Sequence, residues 1–204
     1  MRYGLVLIIV GFVFLSSCEN SNSMDIEQNT IEWEKTNDNL YLRYYTNELS
    51  KAYSYQKYFD DTKYPVMDYF EAALIKKSGS PNAGSGFLFC IKDTDNYYRL
   101  LIADNHYYKV EKILNGGYYN ILNYRTTSAL KTDNISEDVV KVIKSGEDQF
   151  DIYFNNTFVT YFNDTSFEGG AYGFVAGIAK NEFEDFPNGY HESFYKYLYP
   201  KNIP

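Results

Sequence analysis

The chain has 204 residues, a formal net charge of −8, and a composition that is 45% hydrophobic and 19% aromatic, with 23 Tyr and 15 Phe. That is ample material for one core, so a single domain is expected. Its basic residues are scattered among Asp and Glu without a basic stripe. Such a surface repels phosphate backbones, which argues against nucleic acid as a partner.

Met1-Arg2-Tyr3 places one positive charge ahead of an apolar run from Gly4 to Leu15, followed by Ser16-Ser17-Cys18. The run is too short for a membrane span of roughly 20 apolar residues and has the form of a secretory signal. Leu15-Ser16-Ser17-Cys18 resembles the lipobox of bacterial lipoproteins, in which the signal is cut before the cysteine and that cysteine carries acyl chains. The resemblance implies a signal over residues 1–17, lipid on Cys18, and a place at the bacterial cell envelope, facing the periplasm or the exterior. Each buried methylene of an acyl chain adds about 0.8 kcal/mol to anchoring. Residues 18–30 are polar after the cysteine and cannot bury enough apolar surface to order themselves, so they are expected to be a flexible tether. With Cys18 lipidated, Cys90 has no partner for an internal disulfide.

The folded domain is expected over residues 31–204. Leu40 to Tyr45 predicts a first strand, whereas residues 47–65 keep neither a period of two nor of 3.6 and leave strand or short helix open. In Tyr69 to Ile75, Phe70, Ala72 and Leu74 share one face and Tyr69, Glu71 and Ala73 the other. Phe87 to Ile91 is an unbroken apolar run, suited to a strand covered on both faces. Asp93-Thr94-Asp95-Asn96 reverses it into Tyr97 to Ile102. Further on, Tyr108 and Val110 point inward and Tyr107, Lys109 and Glu111 outward. Asn115-Gly116-Gly117 is a turn, with both glycines suited to positive φ. Strands follow over Tyr118–Tyr124, Val139–Lys144, Phe150–Phe154 and Thr157–Phe162, the last two joined by Asn155-Asn156. Residues 172–178 are strand with interspersed glycines that suggest a bulge or close approach, and a last strand lies near Ser193–Tyr199. About ten short strands and no convincing amphipathic helix predict an antiparallel sandwich.

The ordered segments YFEAALIKK, GSGFLFCIKDTDNYYRLLI, HYYKVEKI, VVKVIKSGEDQFDIYFNNTFVTYF and GGAYGFVAGI resemble the concanavalin A-like lectin/glucanase superfamily, the laminin-G-like jelly roll. The resemblance spans roughly Tyr69 to Ile178, with a terminal strand to Tyr199. It implies an all-β, two-layer antiparallel β-sandwich (jelly roll) that hosts lectins, hydrolases and adhesion modules alike. Asn155-Asn156 departs from the family's usual Asn-Gly, Asn being the next best residue for a left-handed turn.

Glycanases of this superfamily carry three acids in an alternating Glu-x-Asp-x-x-Glu strand, which the chain lacks. The nearest stretch, Asn181 to Phe186, breaks the alternation and is expected to be a solvated loop. Glu71 and Glu111 are outward acids with Arg99 between them on neighbouring strands, an arrangement that suits cross-strand salt bridging better than acid/base work. His106 and His191 lack partners at zinc-ligand spacing, and Asp93, Asp95 and Asn96 are turn formers rather than a calcium loop. No metal or cofactor is expected. Cys90 is a small buried hydrophobe. What remains is tyrosine. Tyr97 and Arg99 face away from the core, Tyr107 follows on the next strand, and Tyr119 and Tyr124 extend that side, together a surface suited to stacking on a pyranose. The expected function is therefore a lipid-anchored, non-catalytic ligand-binding sandwich whose partner is a glycan or an envelope protein. The alternatives are a glycoside-cleaving enzyme and a structural or assembly lipoprotein of the envelope.

Overall fold

The computed structural model describes residues 33–35, 42–46, 53–58, 69–78, 84–103, 105–131, 133, 135–178 and 191–199. The signal, Cys18, the tether and the acidic stretch 181–186 lie outside the described residues. Among the described residues there are thirteen strands: β1 (Trp33–Lys35), β2 (Leu42–Thr46), β3 (Tyr53–Tyr58), β4 (Tyr69–Ser78), β5 (Gly84–Asp93), β6 (Asn96–Ile102), β7 (Tyr107–Leu114), β8 (Gly117–Thr126), β9 (Asp138–Lys144), β10 (Gln149–Phe154), β11 (Thr157–Asn163), β12 (Ala171–Ile178) and β13 (His191–Tyr199). They form two antiparallel sheets, a seven-stranded one in the order β1-β2-β13-β4-β9-β10-β11 and a six-stranded one in the order β3-β12-β5-β6-β7-β8. The fold is the expected all-β jelly-roll sandwich. The count of about ten missed β1, and the ambiguous stretch 47–65 contains β3, which pairs with β12 at the sheet edge.

Alternation decides what each layer contributes to the core. Phe70, Ala72 and Leu74 of β4 and Phe150, Ile152 and Phe154 of β10 meet Phe87, Tyr98, Leu100, Tyr108, Val110 and Phe174 of the facing sheet. Fully burying one such side chain contributes about 1.5–3 kcal/mol. Tyr98 is packed by Phe167 at 4.9 Å, Phe89 at 5.3 Å and Phe150 at 5.4 Å between ring centroids. Strand β5 is buried on both faces, as its unbroken apolar run predicts. Phe87 and Phe89 enter the main core, while Leu88 joins a second cluster with Tyr97, Leu101, Ile113 and Val175 on the opposite side of the sheet.

Polar groups fasten one layer to the other. The Ser85 and Ser193 hydroxyls lie 2.8 Å apart, and the Tyr195 hydroxyl donates to the Val175 carbonyl at 2.9 Å. Beyond β11, the Asp164 carboxylate accepts from Tyr98 at 2.7 Å and from the Lys112 ammonium at 2.5 Å. Burial would raise the Asp164 carboxyl, but hydrogen bonds from Lys112, Ser166 and Tyr98 outweigh it and hold it at about 2. Burial pushes the Tyr98 hydroxyl upward, and its bond to Asp164 adds to that shift.

Turn chemistry explains the register. Asn115 and Gly116 take φ of 51° and 75°, so the positive pair is Asn-Gly and Gly117 already belongs to β8, one residue earlier than expected. Asn155 and Asn156 both take positive φ, at 49° and 65°. Asn155 also donates to Ala129 O and Asp138 Oδ1, each at 2.7 Å, which fastens the 127–138 connection to its hairpin. Cys90 is buried with φ of 52° at a bulge in β5, and the Cβ of any residue replacing Gly170 would lie 2.3 Å from the Ile91 carbonyl oxygen beside it.

Candidate functional site

The site lies on the outer face of the six-stranded sheet. Register places Arg99 of β6 opposite Glu111 of β7, and Leu101 opposite Lys109. Side chains two apart on one strand share a face, so Lys109 and Glu111 stand together across from Arg99. The Arg99 guanidinium donates to Glu111 Oε2 through Nε at 2.9 Å and Nη2 at 2.6 Å, and Lys109 Nζ donates to Oε1 at 2.7 Å. The Arg99 and Glu111 side chains are only 9% and 8% exposed. Burial opposes ionisation of Glu111, but the Arg99 charge and the Lys109 bond prevail and hold its carboxyl below the usual range.

Three tyrosines border this ion-pair ladder. The Arg99 Cζ lies 5.1 Å from the Tyr118 ring centroid, and Lys109 Nζ lies 4.8 Å from that of Tyr124. Tyr107 packs edge-on against Tyr124, at 6.2 Å between centroids. With one side of each ring held by a cation, Tyr118 remains 62% and Tyr124 54% exposed. Cations in such positions contribute about 0.5–1 kcal/mol each and bias the ring orientation. Two register shifts between β7 and β8, at Tyr108/Val110 and Val110/Glu111, turn Leu122 into the core yet leave Tyr118 and Tyr124 both outward.

The predicted site residues therefore divide. Arg99, Glu111, Tyr107 and Tyr124 stand together on one face. Tyr97 occupies the expected face but is 2% exposed within the second apolar cluster, so it presents no ring to a ligand. Tyr119 pairs with Lys112, whose ammonium reaches Asp164 of the other layer, and so it stands on the opposite face from Tyr118. Glu71 belongs to the other sheet, where it lies across from Lys141 and accepts from the Tyr69 hydroxyl. Arg99 consequently does not lie between two acids. Tyr118 and Lys109 were not among the predicted site residues. The signal for Tyr118 was the Asn115-Gly116 turn, which pairs Leu114 with Gly117 and hence Ile113 with Tyr118, on the face of Glu111.

No group of three or more His, Cys, Asp or Glu among the described residues could hold a metal ion. The Asp93 carboxylate accepts from Asp95 N and Asn96 Nδ2, both at 2.8 Å, which is turn chemistry. His106 Nδ1 lies 2.8 Å from the Leu130 carbonyl oxygen.

No family model matches the chain, and no curated protein matches it in sequence. Solved structures do resemble it. The carbohydrate binding module CBM66 from Bacillus subtilis superposes with a TM-score of 0.52 at 16% identity, over 82% of this chain and 89% of that one. This likeness is one of fold. An endo-β-1,4-glucuronan lyase from the fungus Trichoderma reesei gives a TM-score of 0.48 at 14% identity, over 82% and 84% of the two chains. Sheep galectin-11 gives 0.41 at 9% identity, over 61% and 93%.

Proposed function

We propose that the protein is a non-catalytic carbohydrate-binding β-sandwich held at the bacterial cell envelope by acyl chains on Cys18. One observation carries the binding half of this reading: exposed Tyr118, Tyr124 and Tyr107 stand on one sheet face, Tyr118 against Arg99 and Tyr124 against Lys109 of the Arg99–Glu111–Lys109 ladder, and Tyr107 edge-on against Tyr124. Rings supported in this way stack on the apolar face of a pyranose at reduced entropic cost, and neighbouring polar groups bond its hydroxyls. Acid/base work is disfavoured by the same geometry. Glu111 is committed to two cations with its carboxyl held low, the reverse of what a general acid needs, and Glu71 stands in the other sheet.

The test is isothermal calorimetry of the detergent-solubilised full chain against a polysaccharide panel. At least one member should bind, and Tyr118→Ala with Tyr124→Ala should abolish that binding while the far-UV spectrum stays unchanged. Binding that survives both substitutions would refute the site. The Cys18→Ser chain should move from the membrane to the soluble fraction and lack acyl mass; retention at the membrane would refute the anchor.

A second reading, contact with an envelope protein, is favoured by the outer face of the seven-stranded sheet. Phe158 and Tyr161 there are 52% and 54% exposed, and Phe158 packs on Tyr153.

A further inference from the structure

Resting on the carbohydrate-binding reading above, we infer that the site grips the interior of an extended polysaccharide chain lying along β8, not a single terminal sugar. Tyr118 and Tyr124 are six residues apart on one strand. At about 3.3 Å per residue, and somewhat less where the strand bulges, their anchor points lie roughly 15–20 Å apart. No single pyranose spans that gap, because one ring is about the size of the phenol it stacks on. Both stations nevertheless belong to one surface, since the cations against Tyr118 and Tyr124 share the carboxylate of Glu111.

The shelf is also the wrong shape for a chain end. Terminal-sugar recognition needs a concave pocket that encloses most of the ligand. Here the tyrosines are 62%, 54% and 38% exposed, and among the described residues β8 is the last strand of its sheet, which leaves the surface open along its side. Between the stations, exposed Asn120 lies opposite Glu111 and offers an amide to ring hydroxyls. At one end, the edge-on Tyr107–Tyr124 pair forms a corner, whereas Tyr118 at the other end is a flat platform.

The experiment is calorimetry of the full chain with cello-, xylo-, manno- and laminari-oligosaccharides of two, four and six units, repeated with Tyr118→Ala and Tyr124→Ala. For the sugar type that binds, affinity should rise at least tenfold from two units to six, and each substitution should remove roughly three- to tenfold of the six-unit affinity. Loss of length dependence in both variants would add support, because each retains one station. A disaccharide that binds as tightly as the hexasaccharide overturns the extended-chain inference while leaving carbohydrate binding intact. Failure of every sugar in the panel overturns both.

Discussion

Replacing Glu111 with Gln tests whether the ladder is the structural base of the site. The substitution keeps the shape of the side chain but removes the one carboxylate that Arg99 and Lys109 share, at 2.6 and 2.7 Å. Removing one partner of a buried ion pair costs about 3–5 kcal/mol, chiefly because the other charge stays buried. Lys109 reaches solvent more readily than Arg99, with 17% of its side chain exposed, so the lower end, about 3 kcal/mol, is the figure to expect. At about 2–4 °C per kcal/mol for a chain of this size, the melting temperature should fall by roughly 6–12 °C. Thermal unfolding followed by circular dichroism at pH 7 measures this directly. The effect should shrink in acid. Because the folded Glu111 carboxyl lies below its ordinary value of 4.5, its stabilisation is complete above that pH and is lost as pH falls through the folded value. Replacing Arg99, Lys109 and Glu111 together with Met, Met and Leu should recover most of the lost stability, since the ladder then buries no charge. A Glu111→Gln protein melting within about 2 °C of the original would refute the buried ladder.

Asp164→Asn should remove a separate inter-layer fastening. The Asp164 carboxyl is held at about 2 against an ordinary 3.8, so its contribution is full above pH 4 and disappears toward pH 2. After discounting for solvent screening this amounts to about 1–2 kcal/mol, readable as a pH-dependent urea midpoint that the variant lacks. Gly86→Ala should fail to fold or lose more than about 3 kcal/mol, because its Cβ would lie 1.9 Å from the Leu100 carbonyl oxygen; soluble expression with an unchanged melting point would contradict that placement.

Much of the sandwich was legible because its signals are local. Period-two alternation assigned the faces of β4 and β7, and asparagine-rich turns located two hairpins. The site was harder, for three physical reasons. Alternation places Tyr97 on the outer face but carries no information on whether that face is covered, and there it is buried among Leu88, Leu101 and Val175. Bulges in β8 break the period, so Tyr119 was assigned to a face that Tyr118 occupies. Sheet membership depends on pairing between distant segments, and nothing near Glu71 in the chain reveals that β4 sits beside β9 and β13 rather than beside β7.

Nuclear magnetic resonance mapping of the full chain with a bound hexasaccharide weighs the two aromatic faces against each other. Carbohydrate recognition on the six-stranded sheet predicts that the largest shifts fall on Tyr118, Tyr124 and Tyr107, with Tyr153, Phe158 and Tyr161 unmoved. Shifts concentrated on the latter three, or absent from β8, would contradict it.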